Sequence, residues 1–550
     1  MVYSYVSTRA DYDPAKLFLV CPPAENATDE KSAAAFAESS GWQALAEWEG
    51  GILLIPVVPN GWQAENTDLP ARLYDSLRNS FAARNGRSLF GRGGKLWCWE
   101  TMIYIIGYGD GAVFAGNCVA AYPNRFAAAA LVNGVPDDYT HADEPSDHWM
   151  VAKVSTDYCL LKKDIASCVW LLETPYVKAQ QAVEYFAAAA GADREESTEL
   201  CGIKAQRRYN TQCPAQQVLM SEYLPLTGLA LANAIYKGLL ERVIRWKDGP
   251  DGTLRYHPTR TEYYGSGEYR IDSVCVNTLD YPYGVRLPAG MTKAEAAGLP
   301  LVYSVHGRGE PAWMFCAKNG WDTLQDETRA FVLAVPDSPG NIWNLHRDAE
   351  AFAAMTEKIC ADYRLDRTRV YLTGFSNGGS ITREVGTTHP EWFAGISPWN
   401  GPVLPGNGLM ADTAISPALS DSGCELPYWV CAGDSDGATA SVCMKEQLEP
   451  VLKANGCTAL ESEEEGGFRP DAVRDGQNYY TQEKGYQSGD RFYTRLYTAA
   501  DGTPRVGYTV MKNMPHGAIP DESRAAWDFL RHFSRPQGSK TVVYTPQIVF

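Results

Sequence analysis

The sequence predicts an α/β protein with two tandem domains, each a mostly parallel sheet flanked by helices. Its 550 residues exceed what one hydrophobic core usually organises. A segment that begins at residue 107 recurs, without a gap, at residue 374. In both copies an apolar run leads through a glycine-rich turn into a helical pattern and then into a second apolar run. That order is typical of a parallel sheet covered by helices.

The repeat joins residues 107–134 to residues 374–401, with every matched pair 267 positions apart. Three further pairs of segments match in the same order on either side of it. We therefore infer a duplication. Asp-Gly turns and a proline interrupt both patterns between the copies, so we predict one domain at 1–246 and a second at 247–550.

The second copy predicts its elements in order. Residues 268–282, "EYRIDSVCVNTLDYP", read as leading strands, and "LVYSV" reads as the next apolar strand. Apolar side chains recur at steps of three and four within 348–363, which predicts a helix with one buried face. The run "RVYLTG" predicts a short strand that is buried on both faces and ends at the glycine-rich turn.

The composition excludes several classes of partner. Hydrophobic residues at 45% and charged residues at 21% describe an ordinary globular protein with sizeable cores. A net charge of -17, with no cluster of lysine and arginine, argues against nucleic acid and against an anionic membrane. Because the chain has no CxxC pair and no HExxH motif, we expect neither a metal nor a cofactor.

The cysteines favour a reducing compartment. Several of the 14, such as Cys360 and Cys431, lie in apolar stretches where a free thiol behaves as a small hydrophobic side chain. Residues 1–10 lack the basic and apolar regions of a signal peptide, and no apolar run reaches the roughly 18 residues of a membrane span. We therefore expect a cytoplasmic protein, although a signal peptide removed earlier would leave no trace.

Ser376 is the first candidate for chemistry. It lies in "GFSNGGS", between a strand pattern and a helix pattern, where a sharp turn can project its hydroxyl above the sheet. Gly374 and Gly378 leave room for strand and helix to pack closely. The alternative is a glycine-rich helix start that Ser376 merely caps. A nucleophilic serine also needs a base and an acid that orients that base.

The base and the acid are sought after Ser376, because they follow a serine at such a turn. Among the histidines that follow, we predict His516 as the base, since "KNMPHGAIP" lies on a loop after an apolar strand. The alternative is a surface histidine. The strand of "LPYWVCAGDSDG" ends in a loop with two carboxylates, Asp434 and Asp436. Loop reach favours Asp436 and leaves Asp434 as the alternative.

Two more groups of residues complete the predicted site. Backbone amides next to the serine and in an early strand loop normally bind the oxyanion of acyl transfer, so we predict Asn377, Gly307 and Arg308 as donors. His306, in the same turn, is expected to be structural. Polar and aromatic residues after the strands are candidates for a substrate pocket, with plain packing as the alternative. These are Trp313, Trp343, Asn344 and Trp399.

The segments "LVYSVHGRGE", "YRLDRTRVYLTGFSNGGS", "AGDSD" and "PHG" resemble the α/β-hydrolases related to polyhydroxybutyrate depolymerases and feruloyl esterases. The resemblance covers most of 280–535 and implies Ser376 as nucleophile, Asp436 as acid and His516 as base. It implies hydrolysis of a feruloyl or aryl ester, or of a short polyester. A tyrosine-rich stretch at 461–497 departs from the pattern between acid and histidine.

The first copy resembles the same fold with its chemistry removed. Gly109 stands where the second copy has its serine, Cys21-Pro22 replaces His306-Gly307, and "VWLLETP" has no aspartate. We predict a non-catalytic domain that serves as scaffold, lid or dimerisation surface, which makes a homodimer one expected assembly. The alternative functions are a serine peptidase or acyltransferase with the same triad, and a non-catalytic binding protein.

Overall fold

The computed structural model describes residues 1–9, 15–73, 98–146, 160–246, 252–401, 419, 422–433, 436, 444–457, 492–511, 514 and 516–546. The chain divides into two compact units, the first Met1–Val151 with Ser155–His257, the second Pro258–Phe550. The first unit thus extends beyond the predicted limit at 246. The reason is that the side chains of Cys213 and Gln217, both in the first unit, bond to Leu254 and Tyr256.

The first unit is built on a nine-stranded sheet. Its strands are β1 Val2–Val6, β2 Ala15–Cys21, β3 Ile52–Pro56, β4 Cys98–Tyr108, β5 Ala128–Val132, β6 Cys168–Leu172, β7 Arg194–Leu200, β8 Ile203–Tyr209 and β9 Gln217–Ser221. They lie in the order β1-β3-β2-β4-β5-β6-β9-β8-β7. The run from β3 to β9 is parallel, and the strands at both edges pair antiparallel.

Helices and a small second sheet complete this unit. The described α-helices are α1 Glu30–Ser39, α2 Trp42–Trp48, α3 Asp110–Ala121, α4 Tyr176–Ala189 and α5 Gly228–Ile235. The small sheet pairs β10 Val243–Trp246 with β11 Thr253–Tyr256. Apolar side chains of β2 to β6 and of α3 and α4 form a buried core, because the parallel strands are covered by helices.

The second unit has its own nine-stranded sheet. Its strands are β12 Tyr269–Val276, β13 Leu279–Arg286, β14 Leu301–Val305, β15 Val332–Pro336, β16 Val370–Phe375, β17 Gly395–Trp399, β18 Tyr428–Gly433, β19 Phe492–Thr498 and β20 Pro504–Met511. They lie in the order β12-β13-β15-β14-β16-β17-β18-β20-β19, parallel from β15 to β20. A short pair, β21 Phe533–Ser534 and β22 Val543–Tyr544, follows.

The α-helices described in the second unit are α6 Arg260–Gly265, α7 Ala312–Phe315, α8 Trp321–Thr328, α9 Ala349–Tyr363, α10 Asn377–Thr388, α11 Met444–Ala454 and α12 Pro520–Leu530. The helix predicted at 348–363 is α9, and it buries the predicted face, Phe352, Met355, Ile359 and Tyr363. Strands β14 to β18 are buried along their whole length. The predicted fold class, two mostly parallel sheets flanked by helices, is confirmed.

The two sheets share one strand order. Strands β1 to β6, β8 and β9 take the places in the first sheet that β13 to β18, β19 and β20 take in the second. Each sheet has one additional edge strand. It is β7 at one edge of the first sheet and β12 at the opposite edge of the second.

Candidate active site

Ser376 lies at the sharp turn between β16 and α10. Its backbone is left-handed, with φ 58° and ψ −120°, and its N–H donates to the carbonyl of Trp399 at 2.9 Å. A non-glycine residue in that conformation is strained by about 1–2 kcal/mol. The turn also needs its glycines, because a Cβ on Gly374 would lie 2.4 Å from the carbonyl oxygen of Gly378. The surrounding turn therefore holds Ser376, with its hydroxyl, in this conformation at the end of the strand.

The three predicted catalytic side chains form one chain of hydrogen bonds. His516 Nε2 lies 2.8 Å from Ser376 Oγ, and His516 Nδ1 lies 2.7 Å from Asp436 Oδ2. Asp436 is fully buried, whereas Ser376 and His516 are partly exposed. An ionised carboxylate only accepts, so Nδ1 carries the proton and Nε2 is left to accept the serine O–H. The alternative acid, Asp434, lies outside the described residues.

The turn at 307–310 runs beside the serine, since a Cβ on Gly307 would lie 3.3 Å from Ser376 Cβ. The Gly307 N–H donates to Glu310 Oε2 at 3.0 Å, and the Gly309 N–H donates to the Asn341 carbonyl at 2.6 Å. Gly307 was predicted as an oxyanion donor, but its amide already has this internal acceptor. Arg308 and Asn377 are the predicted donors that we retain.

His306 is a positioning side chain of this turn. The Ser338 N–H donates to His306 Nε2 at 3.1 Å, so the proton lies on Nδ1, which donates to the Gly307 carbonyl at 2.6 Å. Burial lowers the pKa of His306 to about 4, which keeps the ring neutral. Within one peptide plane the C=O and N–H point in opposite directions. Holding the Gly307 carbonyl therefore fixes the direction of the Arg308 N–H.

A buried ion pair, which sequence reasoning missed, supports the same turn. Glu310 and Lys318 are 2% and 4% exposed and bonded to each other. Lys318 Nζ lies 3.9 Å from the ring centroid of Phe375, and that ring lies 5.0 Å from the His516 ring. No periodic pattern marks two charged residues eight positions apart, so the sequence carried no signal for this pair.

The predicted pocket residues are placed mainly in the core. Trp399 is fully buried, and Trp343 and Trp313 are 2% and 6% exposed. Trp343 Nε1 donates to the His306 carbonyl at 3.1 Å, and Trp399 Nε1 donates to Ser397 Oγ at 2.6 Å. These tryptophans therefore support the site from within, because large aromatic side chains gain most from burial.

Asn344 is the one predicted pocket residue with an exposed side chain. Its Oδ1 accepts the His346 N–H at 3.2 Å, which closes a local turn. Asn377 has a second role besides its backbone amide, since its side chain bonds the backbone N–H of Trp343 at 2.7 Å. The start of α10 is thereby fastened to the loop that follows β15.

The first unit has the same sharp turn between β4 and α3, with Gly109 at the place of Ser376. Gly109 has φ 59° and ψ −125°, close to the values of Ser376, and its N–H donates to the Val132 carbonyl at 2.9 Å. Strand β6 leads into α4 at Tyr176 with no aspartate between them. Residues 222–227, which follow β9, contain no histidine. These segments therefore hold neither an aspartate nor a histidine, and the carboxylate between β6 and α4 is that of Glu173, directly after the strand.

Metal-binding clusters and membrane-spanning helices are both absent from the described residues. Within the ranges described above, no three histidine, cysteine, aspartate or glutamate side chains lie together as a group that could hold a metal ion. None of the described helices is long and apolar enough to cross a membrane.

The chain is similar to proteins named as a polyester depolymerase and as esterases. It is 25% identical over 274 residues to a poly(3-hydroxyalkanoate) depolymerase C of Paucimonas lemoignei, covering 44% of this chain and 59% of that protein. It is 25% identical over 132 residues to feruloyl esterase B of Neurospora crassa, covering 22% of this chain and 45% of that protein. The matches thus span less than two thirds of these curated relatives.

Among solved structures, an acetyl xylan esterase from Aspergillus awamori superposes with a TM-score of 0.36 at 14% identity. The superposition covers 48% of this chain and 99% of that one. No model of a protein family matches the chain.

Proposed function

We propose that this protein hydrolyses carboxylic esters through an acyl-enzyme formed on Ser376. The observation that carries the proposal is the continuous chain of hydrogen bonds from Ser376 Oγ through His516 to Asp436. A serine hydroxyl is a poor nucleophile unless an oriented base takes its proton. Here the base is in contact with the hydroxyl, and the acid that orients it is fully buried.

The reaction follows from these contacts. His516 Nε2 takes the proton of Ser376 Oγ as the oxygen attacks the ester carbonyl, while Asp436 stabilises the resulting imidazolium. The N–H groups of Asn377 and Arg308 stabilise the oxyanion of the tetrahedral intermediate. Asn377 is also the first residue of α10, so the positive end of the helix dipole assists. His516 then returns its proton to the leaving alcohol.

Water completes the cycle by the same steps in reverse. It attacks the acyl-enzyme as His516 accepts its proton, and the acid product leaves when Ser376 Oγ recovers a proton from the imidazolium.

The substrate class is proposed from the relatives. The proteins with similar sequence are named for polyester, feruloyl ester and acetylxylan ester substrates. We infer that this chain takes an ester of the same range, either a feruloyl or aryl ester or a short polyester. It needs no cofactor for this chemistry, because the hydroxyl, the base and the oxyanion donors all come from the chain.

We also propose that the first unit arose by duplication of the second unit's fold and lost its catalytic side chains. The shared strand order, the 267-residue offset and the matching backbone angles of Gly109 and Ser376 support this proposal. Cytoplasmic location and a homodimer stay predictions.

The function is tested with purified wild type and Ser376→Ala on p-nitrophenyl esters, hydroxycinnamate methyl esters, polyester oligomers and peptides. We expect the wild type to hydrolyse one or more of the esters and Ser376→Ala to hydrolyse none, with an unchanged melting temperature. A serine-reactive phosphonate should label the wild type at Ser376 alone. Labelling elsewhere, or peptide cleavage without ester cleavage, would contradict the proposal.

A further inference from the structure

Asn400 follows strand β17, and its side chain bonds two separate loops of the candidate active site. Its Oδ1 accepts the Gly433 N–H at 2.7 Å, and its Nδ2 donates to the Gly517 carbonyl at 2.8 Å. Gly433 is the last residue of β18 and begins the loop that carries Asp436, and Gly517 directly follows His516. One carboxamide therefore connects the loop of the acid to the loop of the base.

The environment of Asn400 suits an amide and few other groups. The residue is 1% exposed, its φ is 42°, and its N–H donates to the Cys431 carbonyl at 2.9 Å. Asparagine adopts left-handed backbone angles more readily than most residues. Its side chain must donate on one side and accept on the other, which neither a carboxylate nor an aliphatic group of the same shape can do.

The loops that Asn400 connects also touch each other. A Cβ on Gly433 would lie 2.1 Å from the Met514 carbonyl, so only glycine permits this approach of the two backbones. The residue before Asn400 bonds the third loop, because the Trp399 carbonyl accepts the Ser376 N–H at 2.9 Å. The end of β17 is thus bonded to the nucleophile turn, the acid loop and the base loop.

The first unit supplies an internal comparison. Asn133 lies 267 positions before Asn400 and has a similar backbone, with φ 54° and its N–H bonded to the Leu172 carbonyl at 2.8 Å. Its side chain is exposed, and among the described residues it bonds neither neighbouring loop. The backbone role is common to both units. The side-chain role occurs in the unit that has an acid and a base to connect.

We propose that Asn400 is a positioning residue of the triad. Its carboxamide holds the acid loop and the base loop at the separation at which His516 contacts Asp436 and Ser376 together. The inference rests on the proposed esterase function, and it concerns geometry rather than contact with substrate. Residues that hold catalytic groups within a fraction of an ångström matter because small displacements of reacting groups are costly.

The test compares Asn400→Gly with the matched variant Asn133→Gly. Glycine accepts the left-handed backbone at both sites, so each change removes a carboxamide without adding strain. Asn400→Gly should lower kcat by about 10²-fold with KM nearly unchanged, because a misplaced base weakens the transition state more than substrate binding. Asn133→Gly should keep both constants. A loss confined to KM, or an equal loss in both variants, would overturn the proposal.

A second readout needs no substrate. The Nδ1–H that His516 donates to Asp436 should give a strongly downfield proton resonance, identified by its loss in His516→Ala. We expect this resonance in the wild type and in Asn133→Gly, and its broadening or loss in Asn400→Gly. An unchanged resonance in Asn400→Gly would overturn the positioning role. If the wild type hydrolyses no ester, the proposed function fails while this signal still decides the role of Asn400.

A third variant covers the case in which Asn400→Gly does not fold. Asn400→Asp keeps the acceptor for the Gly433 N–H and loses the donor to the Gly517 carbonyl, so the same kinetic and spectral losses are expected. If neither variant folds while Asn133→Gly does, Asn400 is a folding residue and the positioning role is wrong.

Discussion

At the scale of single residues, Asp436 illustrates how burial and chemistry combine. Its carboxylate is fully buried, and His516 Nδ1 is 2.7 Å from it. A buried carboxylate that lost this partner would remain desolvated without a hydrogen-bond donor, which is unfavourable. Burial of Asp436 therefore favours its contact with His516. Because a carboxylate only accepts, it keeps the His516 proton on Nδ1 and leaves Nε2 able to accept the Ser376 O–H.

Asp436→Asn should therefore lower kcat by about 10⁴-fold, because an amide no longer selects the reactive tautomer. The measurement is steady-state hydrolysis of the best ester from the substrate panel. Asp434→Asn is the comparison, since the sequence left both carboxylates open, and it should lose much less. The reverse ranking would transfer the acid role to Asp434.

His306 carries a prediction about pH. Its folded pKa is about 4, lowered by burial, whereas an unfolded histidine titrates near 6.5. The unfolded chain thus binds one more proton between these values, so stability falls as pH falls from about 6.5 to 4. The loss of stability reaches on the order of 3 kcal/mol near pH 4 and is absent at neutral pH, where the histidine is neutral in both states. Asp337 Oδ1, 4.0 Å from Nε2, does not reverse the direction.

Urea unfolding of wild type and His306→Asn across this pH range measures the contribution. The variant should be less stable at pH 7, and its stability should change less steeply with pH, because it lacks the group that becomes protonated on unfolding. Parallel pH profiles for the two proteins would show that His306 is not held neutral in the folded state.

At the scale of elements, the turn at 307–310 is held by both backbone and side-chain hydrogen bonds. Glu310 accepts the Gly307 N–H, and its charge is matched by buried Lys318. Removing one member of a buried pair leaves an uncompensated charge, which typically costs about 3–5 kcal/mol. Replacing both members with uncharged groups often leaves the free energy of unfolding unchanged.

Glu310→Gln and Lys318→Met should therefore each lower the melting temperature, and the double variant should recover most of the loss. Thermal unfolding followed by circular dichroism measures the three proteins against wild type. Glutamine keeps an acceptor for the Gly307 N–H, so the double variant should also retain ester hydrolysis. A double variant no more stable than either single one would show that the pair is not coupled.

The elements also show what the sequence can predict. Helix α9 and strand β16 were predictable, because one has apolar residues at helical spacing and the other is a short apolar run that ends in glycine. Three features could not be predicted. They are the acceptor that Glu310 provides for the Gly307 N–H, the Glu310–Lys318 ion pair, and the two side-chain hydrogen bonds of Asn400. Each depends on side chains that meet only after distant segments pack, and no local period records such meetings.

The same limit explains the tryptophans. An aromatic residue after a strand is compatible with a pocket wall and with a core, and periodicity does not separate them. Trp343 and Trp399 are in the core because their indole N–H groups find acceptors there, the His306 carbonyl and Ser397 Oγ. Burial with a satisfied donor is the more stable arrangement for these side chains.

At the scale of the whole molecule, the chain holds two sheets of one strand order, and one of them carries the hydrogen-bonded Ser376, His516 and Asp436. In the first unit the left-handed turn at Gly109 carries no side chain, yet it has room for a Cβ. A Cβ there would have Pro23 Cγ, 3.7 Å away, as its nearest neighbour, which is ordinary van der Waals contact. Steric contact at the Cβ position therefore does not account for the glycine.

Gly109→Ser in a Ser376→Ala background should nevertheless stay inactive. The change restores a hydroxyl at about 1–2 kcal/mol of backbone strain, but supplies neither a base nor an acid. The Ala24 N–H, which stands at the place of Arg308 in the second unit, also already donates to Asp110 Oδ1 at 3.0 Å. Ester hydrolysis and phosphonate labelling are measured on the double variant, with Gly109→Ser alone as the control that should keep wild-type activity. Labelling at position 109 would mean that the first unit still activates a serine, and that its loss of chemistry lies in one side chain.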